Sequence, residues 1–153
     1  FDCVVYAPGG NLLVEVKGRK VAGRRPSGAA RAGGEKSDGL LLLRPSARTR
    51  LECWVTRDDV DSLGAWERLF GAGFTAVFAF VYWCEQLPPG ALFEDFVERD
   101  GRWYAIRCIR REDYEGSMRV RSERWRTVHL TPGVFDRLSR PLEAVLESGV
   151  GAR

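Results

Sequence analysis

Asp2 lies in a short β-branched and aromatic run, and further along Glu15 and Lys17 flank a single valine. Two carboxylates beside an ammonium suit a hard metal and phosphodiester hydrolysis. Asp and Glu oxygens, completed by waters, fill the octahedral shell of Mg²⁺, and Mn²⁺ accepts the same donors. Such a metal polarises a phosphate and acidifies its water, while a lysine orients that water or stabilises developing negative charge. Residues two apart on a strand share a face, so Glu15 and Lys17 point one way and Val14 and Val16 the other.

These side chains meet only if the local chain forms a hairpin in one register. Phe1–Tyr6 (FDCVVY) reads as a strand, Ala7–Asn11 as a turn cluster and Leu12–Lys17 (LLVEVK) as a second strand. With Tyr6 opposite Asn11, Asp2 faces Glu15, and directly opposed Cβ atoms lie about 4.5–5.5 Å apart. A turn one residue longer or shorter slips the register and separates the carboxylates.

Residues 18–39 are rich in Gly, Ala and Arg without apolar periodicity and read as a long mobile loop. A short apolar run, Leu40–Leu43, and a turn-rich stretch at Pro45 follow. Leu51–Val55 reads as a strand. Thr56 is a good N-cap, with Asp58, Asp59 and Asp61 at the positive end of a helix that Gly71 and Gly73 close. Val60, Leu63, Ala65, Trp66, Leu69 and Phe70 give this helix a broad apolar face. The nearly unbroken apolar run Phe74–Trp83 is expected as a central strand buried on both faces. Phe93–Arg107 reads as a hairpin about Asp100-Gly101, with Trp103–Ile109 as its second strand. Arg119–Leu130 is expected to be extended, and a final helix to span about Val134–Leu146 after Pro132. Trp54, Trp66, Phe70, Phe74, Phe78, Phe80, Tyr82 and Trp83 are assigned to the core.

At 153 residues the chain is one domain's length, enough to bury roughly 70% of its unfolded surface. Its apolar runs are too short to cross a bilayer, so no membrane role is expected. It begins without an initiator Met, which suggests an upstream piece, and no charged-then-apolar leader opens it. The net charge of +3 hides a strong pattern. Residues 17–50 hold 10 Lys/Arg against Glu35 and Asp38, residues 51–101 hold Arg57, Arg68 and Arg99 against 10 acids, and residues 102–126 hold 8 Arg against 4 acids. Two basic blocks flanking an acidic one would meet a polyanion as patches. In the first, Arg19, Lys20, Arg24, Arg25 and Arg31 could grip phosphates. In the second, Arg119 and Arg121 share a strand face, with Trp125 as a candidate stacking platform.

Cys3, Cys53, Cys84 and Cys108 sit in apolar runs with no CxxC and no clustered histidine. Buried thiols of a reduced, cytoplasmic protein are the expectation, with no zinc site. His129 stands alone, so Cys–His or Ser–His catalysis has little to use. No GxxxxGK[ST] stretch occurs, and no nucleotide cofactor is expected.

Asp2, Glu15-Val16-Lys17, the strand at Leu51–Val55, the helix opening at Thr56 and the buried strand Phe74–Trp83 together resemble the PD-(D/E)XK nuclease superfamily, closest to archaeal-type Holliday-junction resolvases. Phe1 stands where the signature has Pro. The resemblance covers about residues 1–83 and implies an α/β, restriction-endonuclease-like fold: a mixed central sheet flanked by helices, here without the first core helix. Residues 18–50 form its basic loop and connecting segment. Residues 84–153 are expected as a β-hairpin and helix extension packed on the same domain. Mg²⁺-dependent cleavage of DNA, branched or junction DNA included, is implied, as is a homodimer. The implied catalytic set is Asp2, Glu15 and Lys17, with Asp2, Glu15 and the Val16 carbonyl as metal ligands. The alternative is a non-catalytic nucleic-acid-binding or assembly module that keeps the fold.

Overall fold

A computed structural model describes residues 1–21, 51–84 and 97–148. The Leu40–Leu43 run, most of the basic loop and the first part of the Phe93–Arg107 hairpin lie outside the described residues. The architecture is α/β, a mixed five-stranded sheet of order β1-β2-β4-β6-β5 flanked by helices, with a small three-stranded sheet of order β3-β8-β7.

The first hairpin pairs β1 (Cys3–Ala7) with β2 (Gly10–Lys20). Cys3 faces Val14, Tyr6 faces Asn11 and Ala7 faces Gly10, which leaves Pro8-Gly9 as the turn; the paired register ends at Cys3, one residue short of Asp2. The short strand β3 (Val55–Thr56) leads into α1 (Arg57–Phe70), which returns the chain to β4 (Phe74–Cys84), parallel to β2. The strand β4 lies between β2 and β6 (Arg102–Arg110), and its central residues are buried on both faces, as so apolar a run requires. The turn from β5 (Val97–Arg99) to β6 is Asp100-Gly101 with both φ positive, at 52° and 70°, a backbone suited to a two-residue hairpin turn.

Alternation sorts the two faces of the sheet. Leu13, Ala76, Phe78, Phe80 and Tyr82 join the larger core with Val60 and Leu63 of α1, Tyr114 and Phe135. Leu12, Val14, Val77, Ala79 and Cys108 join Val145 on the opposite side, under α4 (Leu142–Ser148). By the same alternation Glu15, Lys17 and Arg19 continue the Leu13 row, on the side that α1 covers.

The structure corrects several expectations, and β2 runs on to Lys20, so Gly18, Arg19 and Lys20 are strand and not loop. Of the expected Leu51–Val55 strand only Val55 pairs as a strand, joined by Thr56, and the two pair with β8 (Thr127–His129) in the small sheet. The carbonyls ahead of it are met by side chains: Tyr82 Oη donates to Glu52 O (2.9 Å), Tyr114 Oη to Cys53 O (2.7 Å) and an Arg19 nitrogen to Trp54 O (2.7 Å). These bonds satisfy backbone acceptors that a ladder would otherwise have to take. An unforeseen helix, α2 (Arg111–Ser117), carries Tyr114 inward; at seven residues it is too short to show periodicity. The extended 119–130 segment is a hairpin, β7 (Arg119–Ser122) and β8, which places Arg124 and Arg126 in its turn. The single C-terminal helix is two, α3 (Pro132–Leu138) and α4, parted where Arg140 makes a paired backbone bridge to Cys108 and Pro141 has no N–H to give. Finally, Trp66 and Leu69 of α1 are 40% and 72% exposed, so its buried stripe is only Val60, Leu63 and Gly64.

Cys53 and Cys108 are buried, and burial, followed by the Glu143 charge, pushes the Cys108 thiol up to about 12. Cys3 is exposed, contrary to its expected burial, at the start of the edge strand β1. Among the described residues no helix is long and apolar enough to cross a membrane.

Candidate functional site

The parallel crossover β2–α1–β4 brings the start of α1 over the last third of β2. Thr56 caps that start: its hydroxyl accepts from Asp59 N (3.0 Å), and the Asp59 carboxylate accepts from Thr56 N (2.8 Å), a reciprocal capping box. The box aims the same Asp59 oxygen at β2, where Lys17 Nζ lies 3.0 Å away. Lys17 Nζ also donates to Glu15 Oε1 at 2.8 Å, along its own strand face. The ammonium is thus held between carboxylates from two elements, with Lys17 and Glu15 side chains each 18% exposed.

The other Glu15 oxygen lies 3.3 Å from the amino nitrogen of Phe1. Asp2 lies just beyond the paired ladder and donates its N–H to Val14 O (2.8 Å). Its carboxylate accepts from Val16 N at 2.7 Å, across the strand gap. Val16 itself is 40% exposed and opposes Ala79 of β4. Asp2, Glu15 and Lys17 therefore occupy one end of the β1–β2 hairpin.

The charges are mutually reinforcing. Burial works against the Lys17 ammonium, but hydrogen bonds from it to Glu15 and Asp59, and their charges, outweigh that cost and raise its pKa above 10.5. Burial likewise works against the Asp59 carboxylate. The Thr56 N–H and Lys17 overcome it and hold Asp59 below 3.8. At neutral pH Lys17 is a cation, suited to stabilising negative charge and unsuited to accepting a proton.

Among the described residues no group of three or more His, Cys, Asp or Glu side chains gathers closely enough to hold a metal ion. Mg²⁺ is commonly held by one or two carboxylates with waters and substrate phosphates. Asp2 and Glu15 are hard oxygen donors of that kind, here bonded to Val16 N and to the Phe1 amine and Lys17.

A second cluster lies at the far end of α1. Arg111 Nε meets Glu67 Oε2 at 3.0 Å, while Glu67 Oε1 accepts Ala76 N at 2.8 Å. Arg111 packs against Gly64, where an added Cβ would sit 3.3 Å from its side chain. This arrangement fastens α1 to β4 and α2.

The predicted phosphate-binding residues divide. Arg19 and Arg121 converge on Trp54, with guanidinium carbons 4.4 and 4.9 Å from its ring centroid. Lys20 Nζ lies 4.8 Å from the Trp83 ring, on the neighbouring strand. Arg119 is exposed on β7, opposite His129. Arg24, Arg25 and Arg31 lie outside the described residues. Trp125 is 69% exposed in the β7–β8 turn, with Arg124 over it at 5.3 Å.

Compared with known proteins, the chain matches no family model, no curated protein and no solved structure.

Two of its members were not singled out from the sequence. Asp59 was assigned only to the helix dipole. The Thr56-x-x-Asp59 pattern signals the box, but only the crossover shows that the box faces Lys17. Trp54 was assigned to the core and instead lines a cleft of about 270 Å³ with Leu51, Glu52, Cys53, Arg121, His129 and Leu130.

Proposed function

We propose that the chain is a phosphodiesterase of DNA with a nuclease-type Asp/Glu/Lys site on a restriction-endonuclease-like fold, acting on branched or junction DNA. The observation that supports this reading is the hairpin, which brings Asp2 and Glu15 to the same end of β1–β2 while Lys17 shares the Glu15 face beneath the start of α1. A divalent metal bound by Asp2 and Glu15 would polarise the scissile phosphate and supply an acidified water. Lys17, kept cationic by its neighbours, faces the developing charge on the phosphoryl oxygens. Asp59 positions Lys17 and, through the capping box, ties that position to α1. The second reading, a binding module without turnover, is favoured by the close pairing of Lys17 with two carboxylates, which stabilises the cluster with no substrate present.

Cleavage of a labelled four-way junction and of matched linear duplex, with Mg²⁺, Mn²⁺ or EDTA, separates the two. The enzyme reading expects metal-dependent cutting of the junction that Glu15→Ala and Lys17→Ala reduce about 10²–10³-fold while binding persists. Binding without cutting in either metal supports the module. Cutting at the wild-type rate by both variants would sink the site.

A further inference from the structure

The cleft beside Trp54 has the features of a ligand site that the Lys17 cluster lacks. Its lining includes the Trp54 indole and Arg121, and Arg19 also lies over the Trp54 ring, the guanidinium carbons of Arg121 and Arg19 standing 4.9 and 4.4 Å from the ring centroid. Arg19 is fixed by its bond to Trp54 O, yet its Nε is buried without a hydrogen-bond partner. Arg121 is held loosely, 4.0 Å from Glu52, with 43% of its side chain exposed. On the cleft wall His129 Nδ1 is also buried and unpartnered. Buried donors and acceptors without partners are uncommon, because each gives up its water for nothing.

The remaining wall is apolar, from Leu51 and Leu130, and about 270 Å³ lies just under the usual range of small-molecule clefts. That is room for one planar ring system and not for a base pair. Its location is also informative. Arg19 follows Lys17 by two residues on β2, about 7 Å along the same strand face. One strand of nucleic acid could therefore reach both places.

From this geometry we propose that the Trp54 cleft binds a single unpaired nucleotide. The base enters the cleft against Trp54 and beside His129, and the neighbouring phosphate meets Arg121. The proposal deepens the nuclease reading and rests on it for the identity of the ligand as a nucleic acid. It names the substrate as DNA with an unstacked base near the scissile bond, as at a junction, flap or gap. The weak Glu52 contact leaves the Arg121 guanidinium able to turn toward a phosphate.

The test is binding of a short single strand carrying one 2-aminopurine, in EDTA so that no cutting intervenes, with fully paired duplex and free adenosine monophosphate as separate arms. The wild-type protein is expected to change the 2-aminopurine fluorescence on the single strand and to leave the duplex probe unchanged. Trp54→Ala should lose that change and bind about tenfold more weakly, whereas Trp54→Phe should keep it. Arg121→Gln should lower the salt dependence of binding by about one phosphate contact. Circular dichroism of each variant confirms that it is folded. A wild-type-like fluorescence change in folded Trp54→Ala overturns the cleft even if the protein cuts DNA. Equal binding of the monophosphate and the strand overturns the strand assignment. A Trp54-dependent signal without cutting in any metal retains the cleft while the nuclease reading fails.

Discussion

The Lys17 cluster and the Trp54 cleft are joined through Arg19, two residues beyond Lys17 on β2 and bonded to Trp54 O, yet they are built on opposite principles. Around Lys17 the cation has carboxylate partners on both sides, and Asp59 is tied to backbone and side chain at once. Around Trp54 two cations share a ring, and two buried nitrogens have no hydrogen-bond partner. The first arrangement stabilises itself. The second is left incomplete by the fold, and incompleteness of that kind is what a ligand removes. The comparison teaches that a charged residue is informative about binding less by its charge than by what its neighbours leave unsatisfied.

Removing the floor common to both regions should abolish the contrast. Phe80 is fully buried, opposes Lys17 in the β2–β4 register and stacks on Tyr114. Phe80→Ala is expected to cost about 3–5 kcal/mol in denaturant unfolding. A loss below about 1 kcal/mol would mean that the two regions do not share this support.

Tyr114 belongs to one side of the comparison. Its hydroxyl holds Cys53 O at 2.7 Å and Val128 O at 3.2 Å, so it fixes the irregular segment that carries Trp54 to the small sheet. Tyr114→Phe should cost about 1–3 kcal/mol and weaken single-strand binding at the cleft, leaving the high Lys17 pKa in place. Lysine side-chain NMR would register an unwanted change at Lys17.

The converse perturbation is Thr56→Ala, which removes half of the capping box that aims Asp59. A stability loss of about 1 kcal/mol is expected. The Lys17 pKa should fall toward 10.5 as Asp59 loses its fixed geometry. An unchanged Lys17 titration would show that the cap does not position the pair.

The smallest effect is in pH dependence. The Asp59 carboxyl titrates lower folded than unfolded, so its contribution is present above 3.8 and lost as pH falls through the folded value. Lys17 contributes fully below 10.5 and loses its contribution as pH rises through its higher folded value. Stability of Asp59→Asn should therefore fall less steeply than wild type below about pH 4. Parallel acid limbs for the two proteins would remove Asp59 from the cluster's balance.

Local patterns carried much of this architecture. The alternation of LLVEVK put Glu15 and Lys17 on one face, Pro8-Gly9 allowed the turn that brings Asp2 to the Glu15 end of the hairpin, and Thr56 with its aspartates marked the start of α1. Phe74–Trp83 could only be a buried strand. Each of these rests on interactions within a few residues or on burial of a continuous run. The Leu51–Val55 run misled because its apolar side chains also suit an irregular segment, and its carbonyls found Tyr82, Tyr114 and Arg19 in place of a strand.

Residue types, hairpin register and helix start were written in the order of the chain. The meeting of Asp59 with Lys17, the turning of Trp54 from core to cleft wall and the convergence of Arg19 with Arg121 were decided by the tertiary structure alone. Each joins residues dozens of positions apart, and such contacts depend on which way a crossover helix returns and on which sheet a short strand pairs with. Periodicity reports which face a residue occupies, but not what that face will meet.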